Sequence, residues 1–144
     1  MPIVVRARNF AAEVLQAREP VLVDFYGEQC MPCRLLRPIL LELSREYEGM
    51  KFTMFNTDRE LRDSDEDYED KFAVLEAFGV MNLPTLLLFR NGELLSSIVG
   101  LHTKDELLGI FRQLGIQLRA IPHAQPVAAA AADPEPPEEE KAEQ

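Results

Sequence analysis

Val21-Leu22-Val23-Asp24-Phe25-Tyr26-Gly27-Glu28-Gln29-Cys30-Met31-Pro32-Cys33 holds both cysteines of the chain, three positions apart, where an apolar run gives way to a helical repeat. Val21 to Tyr26 is apolar and β-rich apart from Asp24, and Leu35, Leu36, Ile39, Leu40 and Leu43 recur at helical spacing beyond the cysteines. The spacing predicts a strand followed by a helix, with both thiols at the helix N-terminus. Unpaired N–H groups and the positive end of the helix dipole stabilise a thiolate there, and such an environment lowers a cysteine well below its usual pKa of about 8.5. Cys30, nearer the helix end and more exposed, is the expected attacking thiol, and Cys33, one turn on, the resolving one. Pro32 fits between them because the first helical turn has no use for its missing N–H.

Three other uses of a cysteine pair are open to the residues. A structural zinc site needs four ligands, and the only histidines, His102 and His123, stand isolated from each other and from the cysteines. A purely structural disulfide across so short a loop would stabilise little, since the entropic gain grows with loop length. Two inert buried thiols are the third. Catalytic dithiol chemistry is favoured over all of them, and no metal site is expected.

Surroundings agree with that preference. The opening Met1-Pro2-Ile3-Val4-Val5-Arg6 lacks the pattern of a secretory signal, and no run approaches the length of a membrane span. A cytoplasmic location is therefore expected, where thiols stay reduced and a lone CxxC beside a βαβ pattern reads as a redox motif. The net charge of −10 is unevenly spread: Arg59 to Asp70 carries seven acids against two bases, net −5, and Asp133 to Gln144 six acids against one base, again −5. A neutral body with two acidic appendages argues against nucleic acid or anionic membrane as partner, because both require basic patches. Protein substrates are the expected partners, and the chain is expected to be a monomer.

The 144 residues suit one domain with a tail. Ile3 to Val5 predicts a short strand, Asn9 a helix cap ahead of Phe10, Val14 and Leu15, and Glu19-Pro20 the stop. The helix after Cys30 contains Pro38, which predicts a kink, and closes near Gly49. Phe52 to Phe55 predicts a strand, and the acidic stretch then leads to a short helix from about Lys71 to Phe78 with Gly79 as its C-cap. Asn91-Gly92 between Leu86–Phe89 and Leu94–Val99 predicts a hairpin. Thr103 with Glu106 forms a capping box for a last helix using Leu107, Leu108, Phe111 and Leu114. The order implies an α/β fold: a central mixed β-sheet flanked by helices on both faces. From Leu118 onward periodicity is lost, and the Ala/Pro/Glu-rich segment 118–144 is expected to be a disordered acidic tail.

With VDFYGEQCMPC, an LPT ahead of TLLLFRNGEL, a glycine at SIVG and the helix proline Pro38, residues 1–117 resemble the thioredoxin family. The resemblance implies the thioredoxin-like fold, interrupted here by an acidic insertion at about 59–70. It also implies that Cys30 attacks and Cys33 resolves, and that Pro84 is a cis-proline facing the dithiol. A cis bond there would expose the Leu83 backbone to an extended substrate peptide, a pairing that tolerates many sequences. Asp24, by the same resemblance, accepts and returns the Cys33 proton, and its carboxyl should be raised by burial. Gln29, Met31 and Pro32 beside the sulfurs, with Leu83 and Gly100, are the expected substrate contacts.

Departures from the family are informative. Gln29 and Met31 stand where Trp and Gly usually flank the first cysteine, so substrate contacts and reduction potential should differ. Met54 stands where a lysine often neighbours the buried aspartate, so Asp24 is expected to lose a cationic neighbour and to rise further. The acidic insertion reads mainly as solvated surface, with selection of basic partners as the alternative.

The activity implied is protein disulfide reduction, a thiol-disulfide oxidoreductase serving electron transport and cell redox homeostasis in the cytoplasm. No bound cofactor is needed: the redox-active Cys30–Cys33 disulfide would be reduced by a separate donor of the thioredoxin-reductase type. A more oxidising thiol oxidase or isomerase is one alternative, and a non-catalytic binding or chaperone-like module of the same fold is another.

Overall fold

Val21 to Tyr26 is buried along its whole length, and that continuous apolar run is the centre of the sheet. Strands covered on both faces read this way rather than as alternating patterns. In a computed structural model describing residues 2–59 and 68–122, β1 (Ile3–Val5), β2 (Val21–Tyr26), β3 (Tyr47–Glu48), β4 (Lys51–Asn56), β5 (Thr85–Arg90), β6 (Glu93–Val99) and β7 (Arg119–Ala120) alternate with three α-helices. These are α1 (Met31–Glu46), α2 (Tyr68–Ala77) and α3 (Lys104–Gln113). Five strands form one sheet in the order β1-β4-β2-β5-β6, with β1, β4 and β2 parallel and β5 and β6 antiparallel additions. The mixed sheet is the architecture the sequence implies.

Two apolar layers sandwich it. Leu36, Leu40 and Leu43 of α1 and Leu107 and Phe111 of α3 pack with Leu22, Phe52, Leu86 and Leu88 on one face. On the other, Phe10, Val14, Phe25, Phe55 and Phe89 meet Val74, Leu75 and Phe78. Phe10 lies within 6.4 Å of the rings of Phe25, Phe55, Phe78 and Phe89, and aromatic pairs add about 0.5–1.5 kcal/mol beyond burial. Leu35, counted with the α1 stripe in the sequence, is instead 53% exposed. The apolar face is narrower than the leucine count suggests.

Most boundaries fall within a few residues of expectation, including the hairpin, where Asn91 and Gly92 both take positive φ (52° and 80°). The Thr103–Glu106 capping box is complete. Three differences have local causes. The segment predicted to be a helix capped by Asn9 is a 3₁₀ turn (Ala7–Asn9) followed by a π-helical turn (Ala11–Leu15). Asn9 Oδ1 accepts from Arg6 N at 2.7 Å, so it closes the preceding turn rather than capping forward. Second, α2 is already helical at Tyr68, ahead of the expected Lys71.

Third, order continues past residue 117. β7 pairs with β3, and Ile121 N donates to Glu46 O at 2.8 Å, against the expectation that structure ends at Leu118. A two-residue bridge fixed by backbone bonds needs no side-chain period, so no repeat marks it. The rest of the expected tail, 123–144, and most of the acidic insertion, 60–67, lie outside the described residues.

Gly49 makes the β3–β4 turn possible. Its φ is +112°, and a Cβ there would lie 2.7 Å from the Gln117 carbonyl oxygen. Left-handed backbone strain and a clash with fixed main chain both oppose any side chain. Gly49→Ala is expected to lower the unfolding free energy by about 1–3 kcal/mol, read by urea denaturation. An unchanged midpoint would show that the turn and the Gln117 segment move freely.

Candidate active site

β2 delivers the chain to the carboxyl end of the sheet, where Gly27 to Gln29 turn it into α1. A side chain on Gly27 would come within 3.0 Å of Asp58 Oδ1 and 3.3 Å of Leu83 Cδ1, so glycine lets the loop pass between β4's end and the segment before β5. Asp58 Oδ2 accepts from Glu28 N at 3.0 Å, and the Arg34 guanidinium donates to Glu28 O at 3.1 and 2.8 Å. Lys71, buried, donates to Asp58 O at 2.9 Å and ties α2 to the same corner. Asp58, Arg34 and Lys71 were not singled out from the sequence. Charged residues near a turn read as solvated surface until their partners are seen.

Cys30 is the N-cap of α1, with Cys33 in the first turn and Pro32 between. The two sulfurs are bonded, with Cα atoms 5.2 Å apart, and Cys30 Sγ accepts from Cys33 N at 3.2 Å. That sulfur therefore sits against the donors of the helix start, where negative charge is favoured. Cys33 is only 1% exposed, whereas Cys30 is partly exposed and Met31 beside it is 59% exposed. An incoming disulfide can reach one sulfur far more easily than the other.

Pro84 precedes β5, and the Leu83–Pro84 peptide is cis. β5 runs antiparallel to β2 with Thr85 opposite Phe25, which places Pro84 at the strand end from which the Gly27 loop departs. Gly100 N donates to Pro84 O at 2.8 Å. Gln29, Met31, Pro32 and Leu83 are exposed and Cys30 and Gly100 half-buried, whereas Pro84, Cys33 and Asp24 are buried behind them.

Asp24 lies beneath that surface, 1% exposed in mid-strand, opposite Met54 of β4 and Leu86 of β5. Burial pushes its carboxyl up to about 7 from an ordinary 3.8, while the Arg37 charge pulls the other way. A group near 7 can both accept and return a proton at neutral pH. Met54 supplies no charge on the neighbouring strand, and the cation acting on Asp24 is Arg37. The cation comes from α1, not from a strand neighbour. Arg37 falls four residues after Cys33 and one after Leu36, on the helix face that meets the sheet, and that position was the signal available in the sequence.

No helix among the described residues is long and apolar enough to cross a membrane. The model of the family described as Thioredoxin matches residues 1–113. The thioredoxin of Rickettsia bellii is 39% identical over 102 residues, 70% of this chain and 87% of that protein. Thioredoxin C-2 of Corynebacterium nephridii is 38% identical over 105 residues (73% and 88%), and the thioredoxin of Pseudomonas aeruginosa 37% over 100 residues (69% and 82%).

Proposed function

The chain belongs to the thioredoxin family, and from that premise we propose that it reduces disulfides in proteins through Cys30 and Cys33, with Asp24 handling the resolving proton. It is a thiol-disulfide oxidoreductase whose cysteine pair is a redox-active disulfide. The observation that carries the assignment of roles is the difference in access between the two sulfurs, one partly exposed at the helix cap and one enclosed.

In the reduced enzyme the Cys30 thiolate attacks a substrate disulfide; a Cys30–substrate S–S bond forms, the substrate's own S–S bond breaks, and one substrate thiolate leaves. Asp24 then takes the Cys33 proton. The resulting thiolate attacks Cys30 Sγ, forming the Cys30–Cys33 bond and releasing the second substrate thiolate, which is protonated by solvent. Two electrons have passed to the substrate, and an external donor of the thioredoxin-reductase type returns them. Nothing in these steps calls for a bound cofactor or a metal.

Gln29, Met31 and Pro32 beside the sulfurs, with Leu83 preceding Pro84 and Gly100 bonded to its carbonyl, supply contacts suited to an extended peptide strand. Met31, a flexible thioether, adapts to varied neighbours. A single-chain enzyme maintaining thiols in the cytoplasm fits the family, the two acidic segments and the lack of any basic patch in the sequence. Neither a more oxidising oxidase or isomerase nor a non-catalytic binding module is favoured, given the thioredoxin relatives and the intact cysteine pair.

The test is reduction of insulin disulfides by the wild-type protein with dithiothreitol, alongside a glutathione redox titration. Catalysed reduction with a potential well below about −180 mV, the value typical of protein disulfide isomerase, is expected. A potential at or above that value favours the oxidase reading, and an absence of turnover favours the binding module.

A further inference from the structure

Asp24 is not alone under the dithiol. Its Oδ1 and the Arg37 Nε are both buried, and neither has a hydrogen-bond partner among the described residues. Both line one small internal space, closed by Pro2, Leu40, Leu41, Phe52 and Met54. Leaving a buried polar atom unpaired is costly, so two such atoms on residues lining one space call for a reason.

The guanidinium is fixed from its other side. Arg37 Cζ lies 4.8 Å from the centre of the Tyr26 ring, a cation–π distance. Tyr26 is two residues beyond Asp24 on β2, so both side chains leave the same face of the strand. Cys33 is four residues before Arg37 on α1 and shares the helix face turned to that strand. Arg37 thus acts on the carboxyl and stacks on the ring in the sheet, one helical turn from the resolving cysteine. Its positive charge favours the ionised form of Asp24.

We infer that Arg37 is a positioning residue for Asp24: anchored on the Tyr26 ring, its guanidinium keeps the buried carboxylate available to take the proton of Cys33. The inference rests on the proposed role of Asp24 in resolution and adds the group that makes the role feasible in an apolar interior. The transfer is balanced: Cys33 Sγ–H breaks, Asp24 gains the proton, and the thiolate displaces substrate from Cys30. Arg37 makes and breaks no bond. Among the described residues Arg37 from α1 is the charged group acting on Asp24; the other titratable groups on the elements around it are Cys33 on α1 and Tyr26 on its own strand. β4 and β5 present Met54 and Leu86.

The experiment compares wild type with Arg37→Met, which keeps the length without the charge, and Arg37→Lys, which keeps the charge. Two quantities are read: the titration midpoint of the Asp24 carboxyl by carbon NMR, and the pH dependence of single-turnover insulin reduction. In Arg37→Met the midpoint should rise by about one pH unit and reduction below it should slow about tenfold, the deficit closing above pH 9 as the carboxyl ionises fully. Arg37→Lys should restore most of both. In an Asp24→Asn background Arg37→Met should change the pH profile no further.

A midpoint that stays in place in Arg37→Met, or a loss of rate equal at every pH, overturns the inference, as the second is the mark of a merely structural role. Should Arg37→Met not fold, Arg37→Gln carries the same expectations. If wild type fails to reduce insulin while the midpoint still moves, the reductase reading falls and the control of Asp24 by Arg37 stands. Normal turnover with an unmoved midpoint has the opposite meaning.

Discussion

Cys30→Ser is expected to abolish disulfide reduction, a fall on the order of a thousandfold or more, because a serine hydroxyl cannot supply an anion at neutral pH and nothing nearby can activate it. The helix cap that favours a thiolate at this position still leaves a hydroxyl neutral. Cys33→Ser is expected to lose steady turnover as completely but to stop one step later. Attack by Cys30 proceeds, the mixed disulfide forms, and no second sulfur is present to displace the substrate. Mass spectrometry should therefore find a covalent adduct on Cys30 in Cys33→Ser and none in Cys30→Ser. The asymmetry follows from Cys33 being 1% exposed against a partly exposed Cys30. Adducts trapped on Cys33 in the Cys30→Ser variant, with turnover retained, would reverse the assignment.

The second large effect is on stability and depends on pH. The carboxyl of Asp24 sits near 7 in the folded protein, raised from 3.8 by burial against the opposing pull of Arg37. A raised carboxyl has the opposite sign from a salt-bridged one: between about pH 4 and 7 the native state keeps a proton that the unfolded chain has released, so stability falls as pH rises through that window. Below it both states are protonated and no penalty exists; above it the penalty is constant. At about 1.4 kcal/mol per unit, the accumulated loss is on the order of 4 kcal/mol. Asp24→Asn removes the titration. With the disulfide intact, its stability relative to wild type should thus improve by that amount between pH 4 and pH 8, read from urea unfolding at each pH. Parallel curves across the range would mean that Asp24 titrates normally and cannot serve as the proton acceptor proposed.

The parts legible in the sequence were those that repeat or punctuate. The apolar run of β2, the Asn91–Gly92 turn, the Thr103–Glu106 box and the spacing of Cys30 and Cys33 are local patterns with one physical reading each. What escaped depended on contacts between distant segments. Arg37 reads as one more charge on a helix until Asp24 and Tyr26 are seen to face it across the layer. Lys71, in a helix of weak amphipathic character, gives no sign that it is buried against the Asp58 carbonyl. Asn9 satisfies the composition of a forward cap and closes a backward turn, because an amide side chain serves either equally well. The β3–β7 pair had no pattern to detect, being two residues wide on each side.

That small ribbon decides where the last described residues stand. β3 follows the last turn of α1, the helix spans Met31 to Glu46, and Ile121 bonds Glu46, so the ribbon end stands about 24 Å along the helix axis from the sulfurs, at 1.5 Å per residue. The body therefore has a chemical pole and an attachment pole. A label or bead attached on the exposed Arg119 of that ribbon stands at the far end and leaves the reactive pole facing solution.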